Sequence, residues 1–236
     1  MKKITILIIF TLISYNWLNA QSLLPVRYGI KAGTNIANIK STPNNGVENI
    51  QKSSLMGFLA GFYIEIPLND SWYINPELVF NQKGSSFTFN YIHDYETNQR
   101  DLHKNTNELK LGYIEINPTL SYKASSKLSL DLGPSISYLI TEDYTTSDLV
   151  EDNDLTSQEI LPDAQYDEET LDVGINIGIS YYLSEDFLIN GKINTGFISA
   201  GKISKITYTG SNGNSIKTNI YDIKNSGIAF NIAYLF

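Results

Sequence analysis

The two histidines of the chain, His93 and His103, stand ten residues apart in a polar stretch that also holds Asp94, Glu96 and Asp101. Imidazole and carboxylate together can ligate a divalent metal. That separation is no recognised ligand spacing, so both are expected to be solvated and no metal site is assigned. A second group is the acidic run of Glu142, Asp143, Asp148, Glu151, Asp152, Asp154, Glu159, Asp163, Asp167, Glu168 and Glu169, with no Lys or Arg among them. Carboxylates this dense can gather Ca2+, and Asp152-Asn-Asp154-Leu-Thr156 has part of a calcium-loop pattern without its turn glycine. A solvated acidic face is the expectation, with Ca2+ or the bridging of anionic lipopolysaccharide as the chemistry it would support. Nucleophilic catalysis needs a nucleophile and a base held together. Serines are plentiful, but neither histidine falls at a strand end near the lipid boundary, which disfavours a lipid hydrolase. No catalytic residue and no cofactor are assigned.

A third group makes sense only through the elements that carry it. Arg27, Lys31, Glu65, Glu77, Lys83, Glu115, Asp131, Asp172 and Lys192 are single charges on one side of segments whose other side is apolar. The apolar positions repeat with period two, as in strands, and not with the period of a helix. Eight segments show it: Val26 to Ile39, Ser54 to Ile66, Trp72 to Lys83, Leu109 to Lys123, Leu128 to Thr141, Leu171 to Leu183, Phe187 to Phe197 and Gly227 to Phe236. In the last, Ile228, Phe230, Ile232, Tyr234 and Phe236 alternate with small or polar residues, and the strand ends on an aromatic. Pro76 and Pro118 fall inside strands on apolar positions, where each removes a ladder donor, and are expected to mark bulges or strained ends.

The connections alternate strictly between a few residues and long polar stretches at 40–53, 84–108, 142–170 and 199–221. In an antiparallel barrel this puts the short turns at one rim and the long loops at the other. Tyr28, Trp72, Tyr122, Tyr181, Phe187, Tyr234 and Phe236 cluster near short-turn ends, and Phe80, Tyr138 and Phe197 near long-loop ends. Two aromatic belts are what anchoring at both membrane surfaces requires. A soluble lipocalin-like barrel would turn its apolar face inward. Here the opposite face is Gly, Ser, Asn and isolated charges, which suits a narrow packed lumen. The reading is therefore an all-β, eight-stranded antiparallel up-and-down transmembrane β-barrel, with short periplasmic turns and long extracellular loops. An eight-stranded lumen has room only for side chains, so the nine charges are expected to pair there instead of forming an aqueous channel.

Met1-Lys-Lys3, the apolar run Ile4 to Ser14 and Ala20 before Gln21 read as a cleaved signal peptide over 1–20. The outer-membrane barrel domain then covers 21–236. There is no cysteine, so neither a disulfide nor an acylated cysteine is available. The balance of 17 basic against 25 acidic residues gives a net charge of −8, with no basic stripe for nucleic acid.

The stretches Tyr28-Gly-Ile-Lys-Ala-Gly-Thr-Asn-Ile-Ala-Asn38, Gly61-Phe-Tyr-Ile-Glu-Ile-Pro67 and Ile74-Asn-Pro-Glu-Leu-Val-Phe-Asn-Gln-Lys-Gly84 carry a family resemblance. So do Gly112-Tyr-Ile-Glu-Ile-Asn-Pro118, Leu132-Gly-Pro-Ser-Ile-Ser-Tyr138 and the terminal strand. In their order and spacing they resemble the PorT-like outer membrane protein beta-barrel domain family of Gram-negative bacteria, an OmpA-like eight-stranded architecture. Asn117 precedes Pro118 where the pattern would have Pro follow Ile directly, which bears on that strand's register. The resemblance implies assembly by the barrel-insertion machinery through Phe230, Ile232, Tyr234 and Phe236, and it carries over no catalytic residue. One branch is associated with protein secretion and gliding. The expected function is a non-enzymatic outer-membrane protein with a closed lumen. Its partners would be membrane lipid and lipopolysaccharide, with a surface protein or ligand at the outer loops. The alternatives are a small channel or secretion-associated component and, last, a lipid hydrolase.

Overall fold

The computed structural model describes residues 25–43, 50–94, 100–150, 164–209 and 214–236. The stretch 1–20, read from sequence as a signal peptide, lies outside them. The strands are β1 (Arg27–Pro43), β2 (Ile50–Pro67), β3 (Trp72–Asp94), β4 (Arg100–Lys123), β5 (Leu128–Val150), β6 (Ala164–Glu168), β7 (Leu171–Tyr182), β8 (Phe187–Gly196), β9 (Gly201–Thr209) and β10 (Asn214–Leu235). Eight of them, β1-β2-β3-β4-β5-β7-β8-β10, hydrogen-bond in that order, and β10 pairs back to β1 to close an antiparallel ring. The closing register runs from Gly29 opposite Leu235 to Pro43 opposite Tyr221. Two short strands lie beyond the ring at one rim: β9 pairs with the first half of β10, and β6 pairs with β9.

Three turns of one design form the short-turn rim. Leu68, Ala124 and Leu183 each donate a backbone N–H to the carbonyl four residues on, at 2.8 Å. In each, the next side chain, Asn69, Ser125 or Ser184, accepts from the backbone N–H that opens the following strand. This is the side-chain capping that makes Asn and Ser turn formers.

The expected long connections are built mostly of strand. The β3–β4 ladder continues unbroken from Trp72 opposite Tyr122 to Asp94 opposite Arg100, through the stretch read from sequence as a loop. The reason is visible in β4, where the odd-numbered residues from Asn107 to Ser121 face inward. Glu115, Asn117, Thr119 and Ser121 are polar inside, and Ile114, Ile116, Leu120 and Tyr122 are apolar outside. Above them the chemistry inverts, with Leu109, Leu111 and Tyr113 buried inside and Lys110 outside. β10 changes likewise, from Lys224 and Ser226 outside to Ile228 and Phe230. The inversion marks where the outer face leaves hydrocarbon for water. The outward residues below it are heavily exposed, Met56 at 77% and Phe62 at 63%, and a belt of such side chains needs lipid as its solvent.

The prolines do not form bulges. Pro76 lies directly opposite Pro118 in an uninterrupted β3–β4 register, so Asn117 causes no slip there. The missing donors fall on the other sides of the two strands. β2–β3 pairing skips from Tyr63–Glu77 to Ile66–Ile74, and β4–β5 skips from Ile116–Ile136 to Leu120–Leu132, each without a shift. The register shifts occur elsewhere, between Ser54 and Leu59, at Gly112/Tyr113 and between Asn219 and Tyr221.

Candidate functional site

The nine inward charges occupy three levels of the lumen. Nearest the short turns, Arg27 and Glu65 are cross-strand partners with Nη2 and Oε1 2.5 Å apart. The Tyr182 hydroxyl donates to the other carboxylate oxygen of Glu65 at 2.5 Å. Tyr63, Tyr182, Leu188, Ala233 and Leu235 pack around this level.

At mid-height, Glu77 takes two lysines, Lys31 on β1 at 2.5 Å and, across the lumen, Lys192 on β8 at 2.8 Å. Lys31 sits opposite Gly61 of β2, yet its partner lies on β3. A side chain at Gly61 would stand in the way, and even a Cβ there would lie 2.2 Å from the Leu78 carbonyl oxygen. Asp131 has no lysine. Ser121 and Ser180 each donate a hydroxyl to it at 2.5 Å and Asn190 donates its amide at 3.0 Å. An amide relay crosses the same level from Asn194 to Asn176 to Asn117.

The upper level is built on Lys83, which contacts Glu115 at 2.6 Å and Asp172 at 3.2 Å. It ties β3 to its neighbour β4 and, across the lumen, to β7. Asn225 donates to Asp172 and to the Tyr113 hydroxyl. Among the described residues, voids of about 20 and 10 Å3 lie between the levels. Each is the size of one water and no passage for a hydrated ion.

Above Lys83 comes an apolar cap that the sequence reading does not anticipate, made of Ile39, Phe87, Leu109, Leu111, Tyr113, Leu139, Tyr166, Ala200 and Ile223. Tyr166, delivered by β6, donates its hydroxyl to the Ala200 carbonyl at 2.7 Å. Gly201 has φ of +155°, and a Cβ there would meet the Tyr166 ring at 2.5 Å. Glycine alone lets β9 start beneath that ring.

Beside the cap the backbone ladder is interrupted. β5 follows β7 up to Tyr138–Leu171, and Leu139 then bonds the Thr170 carbonyl. Beyond that, no backbone pairing joins β5 to β6 among the described residues. Side chains close this seam. Tyr144 stacks on Tyr166 with ring centroids 6.5 Å apart, and the Glu142 carboxyl hydrogen-bonds Glu168. Partial burial and this second carboxylate push Glu142 up to about 7. Asp143 follows Glu142 on β5 and pairs in register with Lys110, itself in ion contact with Glu108; Asp167 on β6 pairs with Lys202.

For the two histidines the structure describes the backbone register. His93 pairs with Asp101 and His103 with Tyr91 in the β3–β4 ladder, which places their backbone in strand instead of loop. Among the acidic run, Glu151, Asp152, Asp154, Glu159 and Asp163 lie outside the described residues, as does Glu96. No group of three potential metal ligands occurs among the described residues. The lumen serines Ser121, Ser137 and Ser180 donate to carboxylates. At the short-turn rim a cavity of about 440 Å3 opens beside Arg27, Lys123 and Tyr182.

Two outcomes are expected of these contacts. Lys83→Met strands Glu115 and Asp172 in the lumen and should cost about 3–5 kcal/mol, the price of an uncompensated buried charge. It would be read as a lowered urea midpoint of the folded, fast-migrating band. The second concerns pH. Glu142 is held above its ordinary 4.5, so the contribution of the seam is full below that value and is lost as pH rises through about 7. Hydrogen exchange at β6, corrected for intrinsic rate, should be slower at pH 5 than at pH 8, and Glu142→Gln should remove the difference.

Comparison with known proteins follows the architecture. The neisserial surface protein NspA is 13% identical, with 90% of this chain and 100% of that one covered at a TM-score of 0.44. OprG from Pseudomonas aeruginosa is 14% identical, with 89% and 94% covered at 0.42. The Escherichia coli outer membrane protease OmpT is 13% identical, with 92% and 100% covered at 0.42. At these values nothing about activity is taken from them. No curated protein matches the sequence. Residues 19–200 match the outer membrane protein beta-barrel domain, and on that match the chain belongs to this family of outer-membrane β-barrels.

Proposed function

We propose that the protein is a non-enzymatic integral outer-membrane barrel with a closed lumen, whose long hairpins engage a surface partner or support the envelope. One observation carries this reading. Among the described residues, the three levels of ion pairs and amide bonds have voids of about 20 and 10 Å3 between them. A path for solute would have to break buried pairs whose separation is strongly unfavourable. In this reading residues 1–20 are a cleaved signal peptide, 21–236 form the barrel, and the short turns face the periplasm. Membrane lipid and lipopolysaccharide contact the outer belt. The PorT-like motif series supports a secretion-associated membrane component as the second reading.

The barrel-insertion machinery is proposed to read the outward face of β10. Phe230, Ile232, Tyr234 and Phe236 are all exposed there, and the Phe236 N–H bonds the Tyr28 carbonyl at 2.8 Å at the closing seam. Phe187 and Tyr234 pack with centroids 4.8 Å apart beside them. Deleting Phe236 should lower the yield of folded barrel in outer membranes far more than shortening any long hairpin. Equal losses would remove the assembly role.

Planar-bilayer recording tests the closed lumen. Purified protein should give no steady large conductance, and Glu77→Gln or Lys192→Gln should lower stability without opening one. Steady conductance that changes with either substitution would replace this reading with the channel.

A further inference from the structure

The cavity at the short-turn mouth holds charges that the lumen network does not use. Its floor is the Arg27–Glu65–Tyr182 cluster, where each of the three Arg27 nitrogens already has a partner. Nε and Nη2 face Glu65, and Nη1 donates to the Glu185 carbonyl at 2.5 Å. Lys123 is different. Its ammonium lies 4.6 Å from the centre of the Tyr73 ring and 5.1 Å from that of Tyr182, and it donates to the Tyr73 hydroxyl at 3.2 Å. Two ring faces hold and orient this cation without neutralising it.

Lys127 lines the same cavity from the turn that follows β4. Among the described residues neither Lys123 nor Lys127 has a carboxylate within ion-pair distance. In a chain of net charge −8, two unneutralised ammonium groups flank one turn and face one cavity of about 440 Å3. That space admits a small organic anion.

We propose that this mouth is a binding site for a phosphoryl group, with Lys123 and Lys127 supplying the charge. The donor chemistry selects among oxyanions. A planar carboxylate is best met by the guanidinium fork, and the guanidinium here is already occupied. Two compact ammonium charges suit the three-oxygen face of a phosphate, to which lysine binds as a point charge. Glu185 is also among the lining residues, and its negative charge opposes an anion, which makes it a lever for the test. The phosphoryl group belongs to either a soluble phosphate ester or a lipid headgroup reaching over the rim.

The full chain in dodecyl maltoside, which carries no phosphate, would be titrated with inorganic phosphate, glycerol 3-phosphate, dihexanoyl phosphatidylglycerol and, for comparison, acetate. Calorimetry and the amide shifts of Lys123, Lys127 and Tyr182 are the readouts. Saturable binding is expected with Kd on the order of 1 mM or tighter, with acetate weaker. Lys123→Gln and the exposed Lys127→Gln should each weaken binding about fivefold, the scale of one solvent-accessible ion contact. Glu185→Gln should tighten it, and Lys224→Gln, distant on β10, should leave it unchanged. Binding of glycerol 3-phosphate assigns the soluble source, and binding of the short lipid alone assigns the headgroup. The proposal fails if none of the phosphates binds saturably, if acetate binds as tightly, or if Lys127→Gln binds like the unaltered chain.

Discussion

Closure of the ring by β1 and β10 is the constraint on which everything else rests. Hydrocarbon offers no partner to a backbone N–H or C=O, so a strand can cross it only if both its edges are bonded. Here the last edge is sealed over fifteen rungs from Gly29–Leu235 to Pro43–Tyr221, and the Phe236 N–H adds a bond to the Tyr28 carbonyl. No disulfide contributes, since the chain has no cysteine. The two prolines show how tightly the rule binds. They sit opposite each other, so the donors they lack fall toward β2 and β5 at one height of the wall, and the register is kept on both sides.

Closing so few strands leaves a narrow interior, and the interior then dictates its own contents. Polar side chains turned away from lipid are removed from water as well, and must find one another. Lys31, Glu77 and Lys192 do so across β1, β3 and β8, and Lys83, Glu115 and Asp172 across β3, β4 and β7. Inward glycines make the reach feasible, as Gly61 does between Lys31 and Glu77. The lumen network is therefore a replacement for a hydrophobic core, and it holds opposite walls at a fixed spacing.

Much of this was legible in the residues. The lipid face is uniform, so Ile228, Phe230 and Ile232 on β10 and Ile175, Ile177 and Ile179 on β7 announce their strands and inward partners at once. The pairings inside the lumen were not legible, because Lys31 and Lys192 meet Glu77 from strands far apart in sequence. The stretches beyond the bilayer were misread for a different reason. At Tyr113 and Ile114 the meaning of the alternation reverses, with apolar residues inside and Lys110 outside, so a search for one continuous apolar face stops there although the ladder continues. The apolar cap and the short strands β6 and β9 were lost with it. The open mouth was hidden because Lys123 reads as the last residue of a strand and Lys127 as part of an ordinary polar turn.

The three contents of the lumen also bear on where activity can reside. From the short turns upward come a cavity with unneutralised ammonium groups, a dense polar network and an apolar cap. Transport across them would require a solute to be solvated by each in turn. A charged solute meets the cap, where Leu109, Leu111 and Ile223 offer it no partner, and an apolar one meets the ion pairs. Under the closed-lumen reading proposed above, the sequence of layers would turn back both classes, at different heights. What remains able to change is at the two ends. At one, the wall between β5 and β6 is closed by side chains without backbone pairing, and at the other the cavity faces open solvent. Those are the places where a modest interaction energy can alter the molecule without opposing the closure that keeps it in the membrane.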